Sequence, residues 1–276
     1  MNTKKNTFVS VIVLVTILAL AAFPSSAYAN HSWGGYHWAR TANPVPLKVI
    51  DSVTSDWDGK LNTAIADWDQ STMLSLTKEA GSDSQSTRKR CKAVAGKAHA
   101  CNANYGFNGW LGLAQIWITG GVHITQATTK LNDSYLSSGY TDTNKQHVVC
   151  QEIGHDWGLD HQDESGADFN TCMDYSNALD NPHPNAGDYD QLRCIYEYPA
   201  VGTLTSGNHT CRGTGHLDSF NSWTSSTPMP SGFANADVHA IENWGEKVQD
   251  NGKSAVFVRD FGDGNQIVTF VTWANQ

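Results

Sequence analysis

Four side chains between positions 151 and 161 can together hold a divalent metal and move a proton: Gln151, Glu152, His155 and His161. From His147 to Asp163 the stretch reads HVVCQEIGHDWGLDHQD. On a helix, Gln151 and His155 are four residues apart and share a face, with Glu152 beside them one turn before His155. Gly158 has no Cβ, so the helix can stop there in a left-handed conformation and the chain can turn back. That bend returns His161 to the face carrying Gln151 and His155. Such a set suits a tetrahedral metal with three protein ligands and one open position, next to a carboxylate able to take a proton from an activated water. Gln151 admits three readings. Its amide oxygen ligates, more weakly than imidazole would; or two strong ligands remain and catalysis fails; or a neighbour substitutes. His147 is a poor substitute, since two helical turns put it roughly 12 Å from His155 along the axis.

The same stretch resembles the metzincin zinc-protease motif, H-E-x-x-H-x-x-G-x-x-H followed by a Met-turn. The Met-turn candidate is Thr171-Cys172-Met173-Asp174-Tyr175. One position departs from the family pattern: Gln151 stands where the first histidine ligand would be. The resemblance implies an α+β catalytic domain with a twisted mixed sheet, an active-site helix, the Met-turn and a C-terminal helix. It implies Zn2+ held by Gln151, His155 and His161, with Glu152 as general base. Met173 is then an apolar floor under the metal, and Tyr175 a second catalytic group that contacts the metal or steadies the tetrahedral intermediate. Asp156, Asp160 and Asp163 are candidates to orient the two histidines from behind, with simple solvent exposure the more economical account of at least two of them. The implied activity is that of a secreted zinc endopeptidase of the matrixin-like branch acting on protein or peptide substrate. An inactive metzincin-like binding protein is the alternative that Gln151 keeps open.

Composition and targeting agree with export. Lys4 and Lys5, the apolar run Phe8 to Phe23 and Ala27-Tyr28-Ala29 have the form of a signal peptide over residues 1–29. No later segment is apolar enough to span a bilayer, so we expect no membrane partner once the leader is removed, and a monomer. The net charge of −9 argues against nucleic acid, the one basic run, Arg88-Lys89-Arg90 with Lys92, reading as a solvated loop. Six cysteines in an exported chain favour disulfides. Cys91–Cys101 closes a short polar loop. The metzincin resemblance implies Cys150–Cys172, tying the metal helix to the Met-turn, and Cys194–Cys211 is what remains.

The elements that must position the site follow from hydrophobic periodicity. Asn30 to Trp38 carries no pattern. Val45–Ile50 and Met73–Thr77 alternate as strands, and Asp51–Asp69 places Trp57, Leu61, Ala64, Ile65 and Trp68 at helical spacing. Lys78 to Arg90 reads as polar loop. Strand-like runs follow at Ala98–Ala103, Leu113–Ile118 and His123–Leu131, the last two separated by Gly120-Gly121. By the resemblance, Leu113–Ile118 forms the upper edge of the cleft and pairs with extended substrate. After a polar loop over 132–143, the metal helix spans Asn144–Gly158, capped by Thr141 or Asp142, and a second helix spans Ala186–Tyr198. The catalytic domain is thus 30–200, followed by a linker or long loop over 201–237 and a β-hairpin extension over 238–276. Its strands are Ser254–Asp260 and Gln266–Trp273. A lone hairpin is marginal in water, so it must dock on the catalytic domain or belong to a small module.

Overall fold

The computed structural model describes residues 31–162, 167–174, 179–197, 217–219 and 229–274. The leader, most of the 201–237 stretch, Asp163, Tyr175 and Cys211 lie outside the described residues. In chain order the elements are β1 (His37–Trp38), β2 (Val45–Ser52), α1 (Ser55–Trp68), β3 (Leu74–Ala80), α2 (Gln85–Arg90), β4 (Lys97–Ala103), β5 (Trp110–Thr119), β6 (His123–Asn132), α3 (Asp133–Leu136), α4 (Asp142–Asp156), α5 (Ala186–Tyr196), β7 (Glu246–Asp250), β8 (Ser254–Asp260) and β9 (Gln266–Trp273). The class is α+β. One mixed sheet runs in the order β3-β2-β4-β6-β5-β9-β8-β7, with β1 added beside β6. Pairings among β2, β3, β4 and β6 are parallel, and those from β5 through β7 are antiparallel.

Helices α1 and α4 pack against one another on one face of this sheet, α4 lying over β5 and β6. The spacing read on α1 is the buried stripe observed: Trp57, Leu61, Ala64, Ile65 and Trp68. The helix starts later than periodicity suggests, because Asp51 and Ser52 belong to β2. Between strand and helix, the Asp51 carboxylate accepts from the Val53 N–H at 3.1 Å and Asn102 Oδ1 accepts from Thr54 N–H at 2.7 Å. The opposite face of β5 and β9 is covered by the segment after residue 229. There Trp117 and Ile267 pack with Phe233 and Val238, and Trp110, Leu113 and Val271 pack with Trp244 and Phe257.

Several expectations need correction. The 30–38 stretch is not patternless: β1 pairs in parallel with β6 through His37↔His123 and Trp38↔Ile124. The loops expected at 78–90 and 132–143 contain α2 and α3, each opened by a side-chain cap, Ser84 to the Thr87 N–H and Asn132 to the Ser134 N–H. Helices this short have no apolar period to reveal them. Most consequential, β5 is not an edge. The C-terminal hairpin docks by laying β9 antiparallel along it, so the extension continues the main sheet.

Two disulfides join the expected partners, Cys91–Cys101 and Cys150–Cys172. Such bonds persist in oxidising compartments. The third expected pair involves Cys211, outside the described residues. Among the described residues no helix is long and apolar enough to cross a membrane.

Candidate metal centre

Helix α4 begins with a capping box in which Thr141 and Asn144 bond reciprocally, and from Gln146 to Asp156 every residue is buried. A buried helix carrying His147, Gln151, Glu152, His155 and Asp156 must satisfy each polar group locally, since an unpaired one costs about 1–3 kcal/mol. Most partners are evident. His147 Nδ1 is 2.8 Å from the Asn181 carbonyl, Asp156 Oδ2 accepts from Thr129 at 2.8 Å, and His155 Nδ1 is 2.9 Å from the Leu159 carbonyl. Asp156, a candidate to orient a histidine, is buried and its Oδ2 is bonded to β6 instead, with no hydrogen bond from its carboxyl to either ring.

The end of α4 is held from three sides. Gly158 adopts φ +91°. The Asp156 carbonyl accepts from Trp38 Nε1 and the Trp157 carbonyl from the Tyr196 hydroxyl. Beyond the bend, Asp160 N–H donates to the His31 carbonyl at 2.6 Å. The bend brings His161 against His155 with ring centres 4.7 Å apart, edge to face. Asp160 stays with His161, accepting its main-chain N–H at 2.8 Å. The Met173 side chain lies directly under the helix: a Cβ on Gly154 would meet its Sδ at 2.5 Å. Met173 is thus packed against α4, next to the Cys150–Cys172 bond that ties its segment to that helix.

Sequence reasoning missed what covers the site. The Thr272 hydroxyl on β9 lies 2.9 Å from Gln151 Oε1 and 2.7 Å from Glu152 Oε1. Two residues back on the same face, the Phe270 ring stacks on His155 with centres 4.1 Å apart and planes 5° from parallel. One hydroxyl carries one proton, so it cannot donate to both oxygens. The arrangement is satisfied when Glu152 is protonated and donates to Thr272, which then donates to Gln151. Burial does push the Glu152 carboxyl well above its ordinary range, against the opposing Thr272 hydrogen bond. Burial, reinforced by the neighbouring His161, holds His155 well below the usual histidine value, so its ring is neutral. Replacing Thr272 by valine keeps the shape and strands two buried oxygens. It is expected to lower the unfolding free energy by about 1–3 kcal/mol in a urea titration.

Two neutral imidazoles and an amide oxygen are donor types that zinc accepts, and one spacing, that of the two rings, can be compared. With zinc–nitrogen bonds of about 2.0–2.1 Å near tetrahedral angles, two imidazoles on one ion have ring centres about 5 Å apart, close to the 4.7 Å observed. The bond from His155 Nδ1 to Leu159 leaves Nε2 for a metal. Gln151 Oε1 keeps a second lone pair beyond the one Thr272 uses. Tyr175 lies outside the described residues.

Two groups of three His, Cys, Asp or Glu ligand atoms converge to within 4.8 Å among the described residues, and neither contains His155 or His161: Cys91, His99 and Cys101, and His37, His123 and Asp218. The sulfurs of the first are joined at 2.14 Å. A disulfide offers no thiolate, so this triad could take a metal only after reduction. In the second, Asp218 already faces the Arg40 guanidinium at 3.5 Å and accepts the Arg40 N–H at 3.0 Å. No family model matches the chain, and no curated protein compared with it matches either.

Proposed function

We propose that the chain is a secreted zinc-dependent endopeptidase of the metzincin type, acting alone on protein or peptide substrate. The observation that carries this reading is the pairing of the His155 and His161 rings at 4.7 Å beside Glu152, after a bend closed by Gly158. Gln151, His155 and His161 would hold the ion. When bound, zinc supplies a Lewis acid that polarises a carbonyl and makes a water acidic near neutral pH. Glu152, once solvated and ionised, takes the proton from the attacking water at a carboxylate oxygen and delivers it to the leaving amine nitrogen. His155 is kept in one tautomer by Leu159. Tyr175 keeps its proposed place beside the developing oxyanion. The disulfides and the form of the leader support an exported protein.

A second reading, an inactive binding protein on the same scaffold, draws support from Thr272, which occupies both Gln151 and Glu152. Zinc content decides the first step. Purified protein is expected to hold stoichiometric zinc, and His155→Ala or His161→Ala to lose it; a chain that takes up no zinc overturns the metal reading. Casein hydrolysis that a chelator stops then separates the enzyme from the binding protein.

A further inference from the structure

β9 lies along β5 over the candidate metal centre, its other edge paired with β8. It runs antiparallel along β5 from Trp110↔Trp273 to Ile118↔Gln266, in the strand-addition mode by which sheet edges take up peptides. Its Phe270 and Thr272 both face α4, opposite Ala114 and Gly112 respectively, and reach His155, Gln151 and Glu152. Gly112 makes this reach possible, since a Cβ there would meet Glu152 Oε1 at 2.4 Å and Val148 Cγ1 at 2.6 Å. Only a residue without a side chain lets β5 lie so close to α4 that the next strand touches the site. β9 is entered through the Phe261–Asn265 turn, where Gly262 and Asp263 are exposed.

We propose that β9 is an internal occupant of a peptide-binding edge, and that its departure opens β5 to one extended peptide running antiparallel to it. The peptide favoured carries a large aromatic side chain opposite Ala114, over His155, and a small β-branched or hydroxyl residue opposite Gly112. The chemistry performed on that peptide rests on the endopeptidase reading, whereas the exchange of strands does not.

The test uses the full chain with a site-specific protease sequence inserted between Gly262 and Asp263, folded first and then cut. The probe is a fluorescein-labelled peptide of residues 266–274 with added lysines for solubility. Cut protein is expected to bind the probe, and intact protein not to. Diethyl pyrocarbonate should modify His155 of zinc-free protein about tenfold faster or more after the cut, a readout of local opening that needs no turnover. Casein hydrolysis should rise with the cut and fall back when unlabelled peptide is added. Equal probe binding by both forms, binding by neither, or equal His155 reactivity overturns the proposal. Should the insertion prevent folding, Phe270→Leu in the uninterrupted chain replaces it: faster His155 modification supports the proposal and an unchanged rate overturns it. If probe binding and His155 reactivity change as expected but the protein takes up no zinc and cleaves nothing, the occupant stands and the endopeptidase reading fails. If zinc-loaded intact protein cleaves casein as fast as the cut form, the reverse holds.

Discussion

Gly158→Ala is expected to lower the unfolding free energy by about 3–5 kcal/mol and to abolish zinc uptake, because two independent penalties fall on one residue. The first is conformational. At φ +91° an alanine pays for a backbone region that L side chains rarely enter. The second is steric, since its Cβ would sit 2.0 Å from the Tyr36 carbonyl oxygen. Relief by movement is blocked. The chain just before Gly158 is held through Trp38 and Tyr196, and the chain just after it through the Leu159 carbonyl, the Ser32↔Leu159 bridge and the Asp160–His31 bond. Any shift that frees the Cβ turns His161 away from His155. Urea unfolding reads the stability loss, and zinc content read on the folded fraction reports the ligand geometry. A variant that unfolds at the wild-type urea concentration and keeps its zinc would show that the bend is not what gathers the histidines.

That bend was legible in the sequence because its physics is local: a four-residue spacing, a glycine, and a histidine three residues later. The helix cap at Thr141 and the two hairpin strands were legible for the same reason, one from hydrogen-bonding chemistry and the other from alternation. Cys91–Cys101 could be inferred from a short loop, while Cys150–Cys172 needed the metzincin resemblance. The cover over the site was not legible. Alternation in Gln266–Trp273 says which residues share a face, and Val268, Phe270 and Thr272 do share one. It does not say which strand they pair with or which helix they meet. Thr272 reaches Gln151 across 121 positions of chain, and no spacing rule spans that interval. β7 was missed for a plainer reason: a strand exposed at all but one position carries no alternation to detect.

Lys130 was missed entirely, and it makes a pH dependence that one substitution can isolate. It lies on β6 opposite Leu113, turned to the face covered by the 229–245 segment, and is 2% exposed. Nζ donates to Gln115 Oε1 at 3.1 Å and lies 3.5 Å from His239 Nδ1. Burial brings its pKa down to about 7, against a partial counterweight from Asp237. Nearby His239 and His99 are both held below their usual value by burial, with Lys130 adding to the effect, so above pH 7 both are neutral and neither adds a second positive charge. The sign follows from proton counting. Above pH 7 the folded chain has released this proton while the unfolded chain keeps it until about 10.5, so stability rises with pH across that window. The cost of charging the buried amine is full below pH 7 and relieved near 10.5, a difference of about 4 kcal/mol. Lys130→Met preserves the length of the side chain and removes the titration. It also leaves Gln115 Oε1 without its donor, a loss of about 1–3 kcal/mol that does not vary with pH. Urea unfolding of both proteins at matched pH values from 7 to 10 separates the two effects. The wild type should gain stability on Lys130→Met by roughly this amount as pH rises, with the variant ahead or level at pH 7 and behind at pH 10. Parallel curves would mean that the amine is solvated or paired in the folded chain, and that the layer after residue 229 does not seal this face of the sheet.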